Sequence, residues 1–140
     1  MKLNIGCGGN KKEGYINIDK NPAFEPDIIR DITRGLPFND DSIDEIYTSH
    51  CLEHIDSGED IIFVMNELWR VLKPEGLLII RVPHTKEYGA FCDPTHKSFW
   101  NEQSAPYWTG GYNLAYGIKT KFKILENKIE GIELIIKFKK

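Results

Sequence analysis

The stretch SIDEIYTSHCLEHI, Ser42 to Ile55, admits two folds. Its second half contains His50-x-x-Glu53-His54, a spacing that on one helix sets two imidazoles a turn apart with a glutamate between them, as in a catalytic zinc site. Its first half sets apolar Ile43, Ile46 and Thr48 against polar neighbours, the pattern of a half-buried strand. If Ile43 to Ser49 is a strand, His50 stands at its tip, and His50 and His54 share no helical face. A zinc site of that type would also want a third ligand and a wider cleft than a chain of 140 residues is expected to build. The strand reading is therefore adopted, His54 is read as a helix N-terminal residue bonded to nearby backbone, and no metal is expected.

Further strands fall on both sides. KLNI ends at Gly6, YINID at Asp19, DIIRD at Asp31, and the continuous apolar run LLIIRVP at Pro83. Each closes on a polar, glycine or proline residue, so the tips form an edge of the kind where open α/β sheets bind ligands. From Ser57 onward, Ile61, Ile62, Val64, Met65, Leu68, Trp69 and Leu72 recur at the spacing of one buried helical face, with Glu59, Asn66, Glu67 and Arg70 opposite. Ser57-Gly58-Glu59-Asp60 reads as a capping box and KPEG from Lys73 as the stop. This helix joins two strands as a βαβ crossover, which makes them parallel. KFKILEN and GIELIIKFKK alternate around a short polar link at Lys128 to Gly131, which predicts a closing antiparallel pair.

The links in the first half are short. Only CGGNKKEG separates the first two strands and KNPAFEP the next two, whereas a parallel crossover takes a dozen or more residues. One face of that half of the sheet is then left without helices, and a second copy of the chain, as a homodimer, is the expected cover.

Composition sets the outer limits. The chain has the length of one domain, residues 1–140, and its net charge of -3 with pI near 5.8 supplies no general attraction to phosphate backbones. Nucleic acid is disfavoured as a partner, and the C-terminal lysines read as a solvated strand face. The N-terminal apolar run is too short for a signal-peptide core or a membrane span, so a cytoplasmic protein without membrane attachment is expected. Cys7, Cys51 and Cys92 are odd in number and scattered, without a C-x-x-C, which argues against disulfides and a zinc ribbon.

Gly6, Gly8 and Gly9 directly follow a strand, where glycine permits positive φ and close approach of a ligand, and where exposed amides can bind an anionic end. Alone this is a weak signal, because Lys11 stands where a dinucleotide fingerprint has its third glycine. Asp19 adds a carboxylate at the second strand tip that can accept from two adjacent ribose hydroxyls. Asp31, at the third tip, can meet an adenine amino group. A dinucleotide oxidoreductase is disfavoured, because no helix N-terminus is available for a pyrophosphate.

LNIGCGGN, INID, RDI around Asp31, LPFNDDSIDEIYTSHCLEHI and NELWRVLKPEGLLIIRVP, taken in order, resemble the motifs of class I S-adenosylmethionine-dependent methyltransferases, close to the methyltransferase type 11 group. The resemblance covers about residues 2 to 84. It implies a Rossmann-like α/β fold with a mostly parallel twisted sheet, a C-terminal antiparallel hairpin and reduced helices in the first half. It implies S-adenosylmethionine as cofactor, with Asn4, Gly6, Cys7 and Gly8 around the methionine part. Asp19 would hold the ribose between Ile18 and Lys20, Asp31 and Ile32 would meet the adenine, and Ser49, His50 and Cys51 would line the wall beneath the sulfonium. Arg70 to Gly76 would be scaffold. Two departures stand out: many members of the family have an acid at the place of Asn4, and the helix after the glycine turn is missing.

The segment from His84 to Tyr116 is dense in aromatics: Tyr88, Phe91, Phe99, Trp100, Tyr107, Trp108, Tyr112 and Tyr116. It reads either as a lid and acceptor pocket or as a long connection covering the sheet. No catalytic residue is identified; His84, Asp93 and His96 are the candidates for a general base, or alternatively a metal-binding set, a reading not preferred. The expected activity is methyl transfer to a small-molecule or sugar-type acceptor. The alternative is a non-catalytic methyltransferase-like module serving as a subunit of a larger assembly.

Overall fold

The computed structural model describes residues 1–140. A single seven-stranded sheet runs β3-β2-β1-β4-β5-β7-β6. Its strands are β1 Lys2–Ile5, β2 Ile16–Asp19, β3 Ile28–Ile29, β4 Ile43–Ser49, β5 Leu72–Pro83, β6 Lys123–Glu130 and β7 Glu133–Lys139. The first five pair in parallel, and β7 and β6 close the sheet antiparallel, as the alternation predicts. No helix is long and apolar enough to cross a membrane.

The register explains which face is buried. Ile18, Ile5, Thr48, Ile80 and Ile136 lie in one cross-strand row, and Ile16, Leu3, Ile46, Leu78 and Phe138 in the next, on the same face. Helix α1, Glu59–Val71, lays Ile61, Val64, Met65, Leu68 and Val71 against this face. Full burial of such side chains is worth about 1.5–3 kcal/mol each. Trp100, Ala105, Trp108, Ile118 and Phe122 of the aromatic segment join the same core.

On the opposite face the rows read Asn17, Asn4, Tyr47, Ile79, Lys137 and then Ser49, Arg81, Ile135. No helix covers them. In place of the missing helix after β1, polar side chains tie the loop down: Asn4 Nδ2 donates to Asn10 O and to Asn17 Oδ1, and Lys12 N donates to the same Asn17 oxygen. Asn17 N and Nδ2 both donate to Asp27 Oδ2. The Lys12 ammonium then lies 4.3 Å from the centre of the Tyr47 ring, a cation–π contact over the helix-free face.

Three local expectations fail for definite reasons. The capping box does not form: the helix begins after Gly58, whose φ of 88° turns the chain, and the Ile61 amide is met by Asp56 O. KPEG is not a separate stop, because β5 starts at Leu72 and Lys73–Gly76 bulge out of it between the Ile43–Leu72 and Glu45–Leu77 pairs, with Glu75 at φ 67°. The final turn falls at Gly131 and Ile132, since β6 keeps pairing through Glu130.

The segment after β5 is mostly irregular, with two short helices, α2 Gly89–Cys92 and α3 Asn113–Tyr116, and a 3-10 stretch Glu102–Trp108. Asn101 and Ser104 form a true capping box at the start of that stretch.

Candidate functional site

The strand tips of β1, β2 and β4 and the turns that follow them enclose a hollow of about 680 Å³, within the size range of small-molecule sites. Gly6, Gly8, Ile18, Asp19, Lys20, Asp31, Ile32, His50 and Cys51 line it together. The remaining expected cofactor residues do not: Asn4 is 3 % exposed and spends its amide on the loop, Cys7 is buried, and Ser49 lies outside the lining. Phe24, Arg30, Thr33, His54, Ile55, Asp56, Asp60, Thr95 and Lys97 complete the walls; of these the sequence singled out His54 and Asp60, neither as part of this hollow.

Gly6 is required by geometry. Gly6 has φ 65°, and a Cβ there would lie 2.4 Å from Cys51 Sγ and 2.5 Å from Cys51 Cβ. Gly8 has φ 47°, and a Cβ there would meet nothing within 4 Å. The close approach at Gly6 therefore packs β1 onto the turn after β4, while Gly8 faces open space.

The amides of this turn are mostly taken. Gly6 N and Cys7 N donate to Ile18 O, and Gly8 N donates to Asp19 Oδ2 at 2.9 Å. An anionic ligand end thus finds fewer free donors than the glycines suggest. Asn21 N donates to Asp19 Oδ1 at 2.9 Å, so both oxygens are held in place while each keeps a second acceptor direction. Asp31 Oδ1 accepts from Thr33 N and Thr33 Oγ1, which lowers its pKa and leaves Oδ2 without a protein partner.

His50 ends β4 with φ 51°, and it does not pair with His54. Its Nδ1 lies 3.3 Å from Glu53 Oε1 and its Nε2 contacts Glu133 Oε1. Glu53, and then Glu133, hold the ring charged against the cost of its burial, with a pKa raised to about 9. Cys51 is the reverse case: desolvation first, then the Glu53 charge, push its thiol up to about 12.

The three base candidates separate. His84 is buried, its Nδ1 accepts from Lys86 N and its Nε2 therefore carries the proton and donates to Glu102. Both nitrogens are spent on structure. Asp93 and His96 lie near each other, with Oδ2 3.6 Å from Nε2, behind the wall that Thr95 forms. None of the three lines the hollow.

A second hollow of about 470 Å³ adjoins the first. The segments 55–62 and 95–99 contribute to both, with Ile55, Asp56, Asp60, Thr95 and Lys97 lining the first and Ser57, Gly58, Ile61, Ile62, Ser98 and Phe99 the second. Phe99, Trp100, Tyr107, Trp108 and Tyr116 line it, with Ser57, Asn101, Gln103 and Ser104 as polar edges. Trp108 Nε1 is a buried donor without a partner. The aromatic segment thus does both things expected of it: Trp100 and Trp108 belong to the core, and the same residues wall a cavity.

Residues 11–80 match the family described as Methyltransferase domain. No curated protein matches the chain. Among solved structures it is similar to a SAM-dependent methyltransferase from Archaeoglobus fulgidus, with TM-score 0.70, 20% identity, and coverage of 99% of this chain and 85% of that one. It is also similar to a chain from the complex between the Haloferax volcanii Trm112 methyltransferase activator and a methyltransferase, with TM-score 0.72, 13% identity and coverage of 99% and 80%. A third similar structure is the Burkholderia thailandensis 1,6-didemethyltoxoflavin-N1-methyltransferase with bound 1,6-didemethyltoxoflavin and S-adenosylhomocysteine, with TM-score 0.66, 12% identity and coverage of 99% and 70%.

Proposed function

The chain belongs to the methyltransferase domain family, and from that premise we propose that the larger hollow holds S-adenosylmethionine and the aromatic hollow receives a small-molecule or sugar-type acceptor. The observation that carries the reading is the convergence of Gly8, Asp19 and Asp31 on one cavity.

The residues present fit the cofactor. Asp19 offers two fixed carboxylate oxygens, each with a spare acceptor direction, for a pair of vicinal hydroxyls. Asp31 Oδ2 offers an acceptor for an exocyclic amine, and Ile18 and Ile32 supply apolar surface for a base. Gly8, without a side chain, leaves the hollow open at this turn.

S-adenosylmethionine, when bound, supplies a methyl group on a positively charged sulfur. The chain's own task is then to align the acceptor and to exclude water, which is where most of the rate gain of such a displacement arises. Phe99, Tyr107 and Tyr116 present flat faces suited to a ring or a sugar face, and Trp108 Nε1 supplies a donor to an acceptor oxygen. None of His84, Asp93 and His96 lines either hollow, so an already nucleophilic acceptor would react without a base, whereas a sugar hydroxyl would need one from another group.

Calorimetric titration with S-adenosylmethionine, S-adenosylhomocysteine and NADH tests the cofactor assignment. Binding of the first two, with weakening of about 100-fold in Asp19→Ala and no heat with NADH, is the expected result. Heat with NADH alone, or none with any of the three, overturns it.

A further inference from the structure

Glu53 is 2 % exposed, and neither of its side-chain oxygens has a hydrogen-bond partner. An ionised carboxylate so placed is costly unless a cation compensates it. His50 Nδ1 approaches Oε1 at 3.3 Å without forming a hydrogen bond, and the nearby Lys97 ammonium is paired with Asp56 at 2.8 Å. The charged His50 ring lies on the Oε1 side, and Oε2 receives no hydrogen bond.

Two imidazoles face this carboxylate. Glu53 O accepts from Lys97 N and Ser98 N, which draws the segment after α2 against the 3-10 turn Leu52–His54. His96 is thereby set edge-on to His54, with ring centroids 4.8 Å apart. Ligand atoms from Glu53, His54 and His96, one each, lie within 4.8 Å of one another.

The hydrogen bonds fix which nitrogens are bare. Ala90 O is an acceptor only, so the His96 nitrogen that meets it at 3.0 Å, Nδ1, carries the proton. Thr95 Oγ1 donates to Asp93 Oδ1 at 2.6 Å, so it accepts from His54 Nδ1 at 3.0 Å, and Thr95 O accepts from the same nitrogen. In their neutral form both rings therefore carry the lone pair on Nε2, in the pattern by which carbonyl and hydroxyl partners orient metal-binding histidines. His96 Nε2 lies 3.6 Å from Asp93 Oδ2, which places a second carboxylate beside the pair of rings. Two imidazoles oriented through Nδ1, beside a buried carboxylate that receives no hydrogen bond, form a donor set for a cation.

We propose that Glu53, His54 and His96 bind a divalent transition-metal ion of the zinc class, with Asp93 beside it. Two imidazoles and one carboxylate are a donor set that suits zinc and leaves a coordination position for an exchangeable oxygen ligand. Ligands of one tetrahedral zinc are about 3.4 Å apart, so the three side chains close by roughly 1 Å on binding. His54 also lines the larger hollow, so the ion adjoins the proposed cofactor site. Two members of the His50-x-x-Glu53-His54 spacing thus take part, while the place of His50 is taken by His96, 42 residues beyond His54. The site stands independently of the methyl-transfer reading.

Untagged, chelator-treated protein titrated with cobalt(II) and then zinc tests it. One cobalt per chain is expected, with the strong visible bands of a four- or five-coordinate ion, displaced by zinc, and weakened about 100-fold or more in Glu53→Gln and in His96→Gln. Zinc should also shift the imidazole nitrogen resonances of His54 and His96 in the unaltered protein and leave those of His84 in place, a readout that needs no variant to fold. Absence of stoichiometric cobalt at micromolar protein, retention of the ion by both variants, or zinc shifts that spare His54 and His96 would each overturn the proposal. S-adenosylhomocysteine binding, measured on the same metal-free sample, reports on the cofactor assignment separately.

Discussion

At Gly6 two constraints act together. Its φ of 65° lies where L side chains are strained, and its missing Cβ makes room for Cys51. Gly6→Ala is expected to cost about 3 kcal/mol, combining backbone strain with overpacking, and a denaturant melt measures it. Adding Cys51→Ala should not restore stability, because Cys51 Cβ is itself 2.5 Å from the new methyl. The three thiols give a second test at this scale. Burial raises Cys7 and pushes Cys51 to about 12, so both stay as neutral thiols at pH 8, whereas Cys92 is exposed. A thiol reagent should label Cys92 rapidly, Cys7 only on unfolding, and the half-buried Cys51, whose thiol stays protonated, slowly at pH 8 and faster as the pH rises. Rapid labelling of Cys51 at pH 8 would contradict the packing of this turn. The glycines and Asp19 were legible in the sequence because each follows a strand directly. The role of Asn4 was not, since its partners Asn10 and Asn17 are set by a loop that replaces a helix.

At the level of elements, the sequence motif NELWRVLKPEG works through Arg70. Its guanidinium donates twice to Glu67 at 2.8 Å, to Asp40 at 2.7 Å, and to the carbonyls of Phe38 and Leu36. Glu67 in turn accepts from Leu36 N, so one turn of α1 clamps the LPFND loop that leads into β4. Arg70→Ala removes the clamp and leaves Glu67 without its cation. The expected loss is about 2 kcal/mol, or a fall in melting temperature of roughly 6 °C, with cofactor affinity unchanged. An unchanged melt would show that the loop is held by other contacts. Periodicity revealed α1 because it has one buried face, and the β6–β7 pair through its alternating residues, although β7 buries Leu134, Ile135 and Ile136 in succession and β6 buries none. It misplaced the start of α1, where Gly58 and a backbone carbonyl replace side-chain capping, and it could not foresee a bulge at Lys73–Gly76. The aromatic segment carried no period, because its side chains fill a core and wall a cavity from irregular backbone.

For the whole molecule, the consequence of the short links is a two-layer body with one sheet face free of helices. Tyr47, Ile79 and Arg81 lie there half-buried, with Lys12 folded over Tyr47. The expected homodimer through this face predicts twice the chain's 16.1 kDa by light scattering at micromolar concentration, reverting toward a monomer in Ile79→Lys. A monomer mass for the unaltered protein would contradict it. The same economy leaves the strand tips intact, and the central claim concerns those tips. Amide resonances followed during titration with S-adenosylhomocysteine test it most directly. The account predicts that Gly6, Gly8, Asp19, Asp31, Ile32 and Cys51 shift together and saturably; shifts confined to other regions, with these six unmoved, would contradict it.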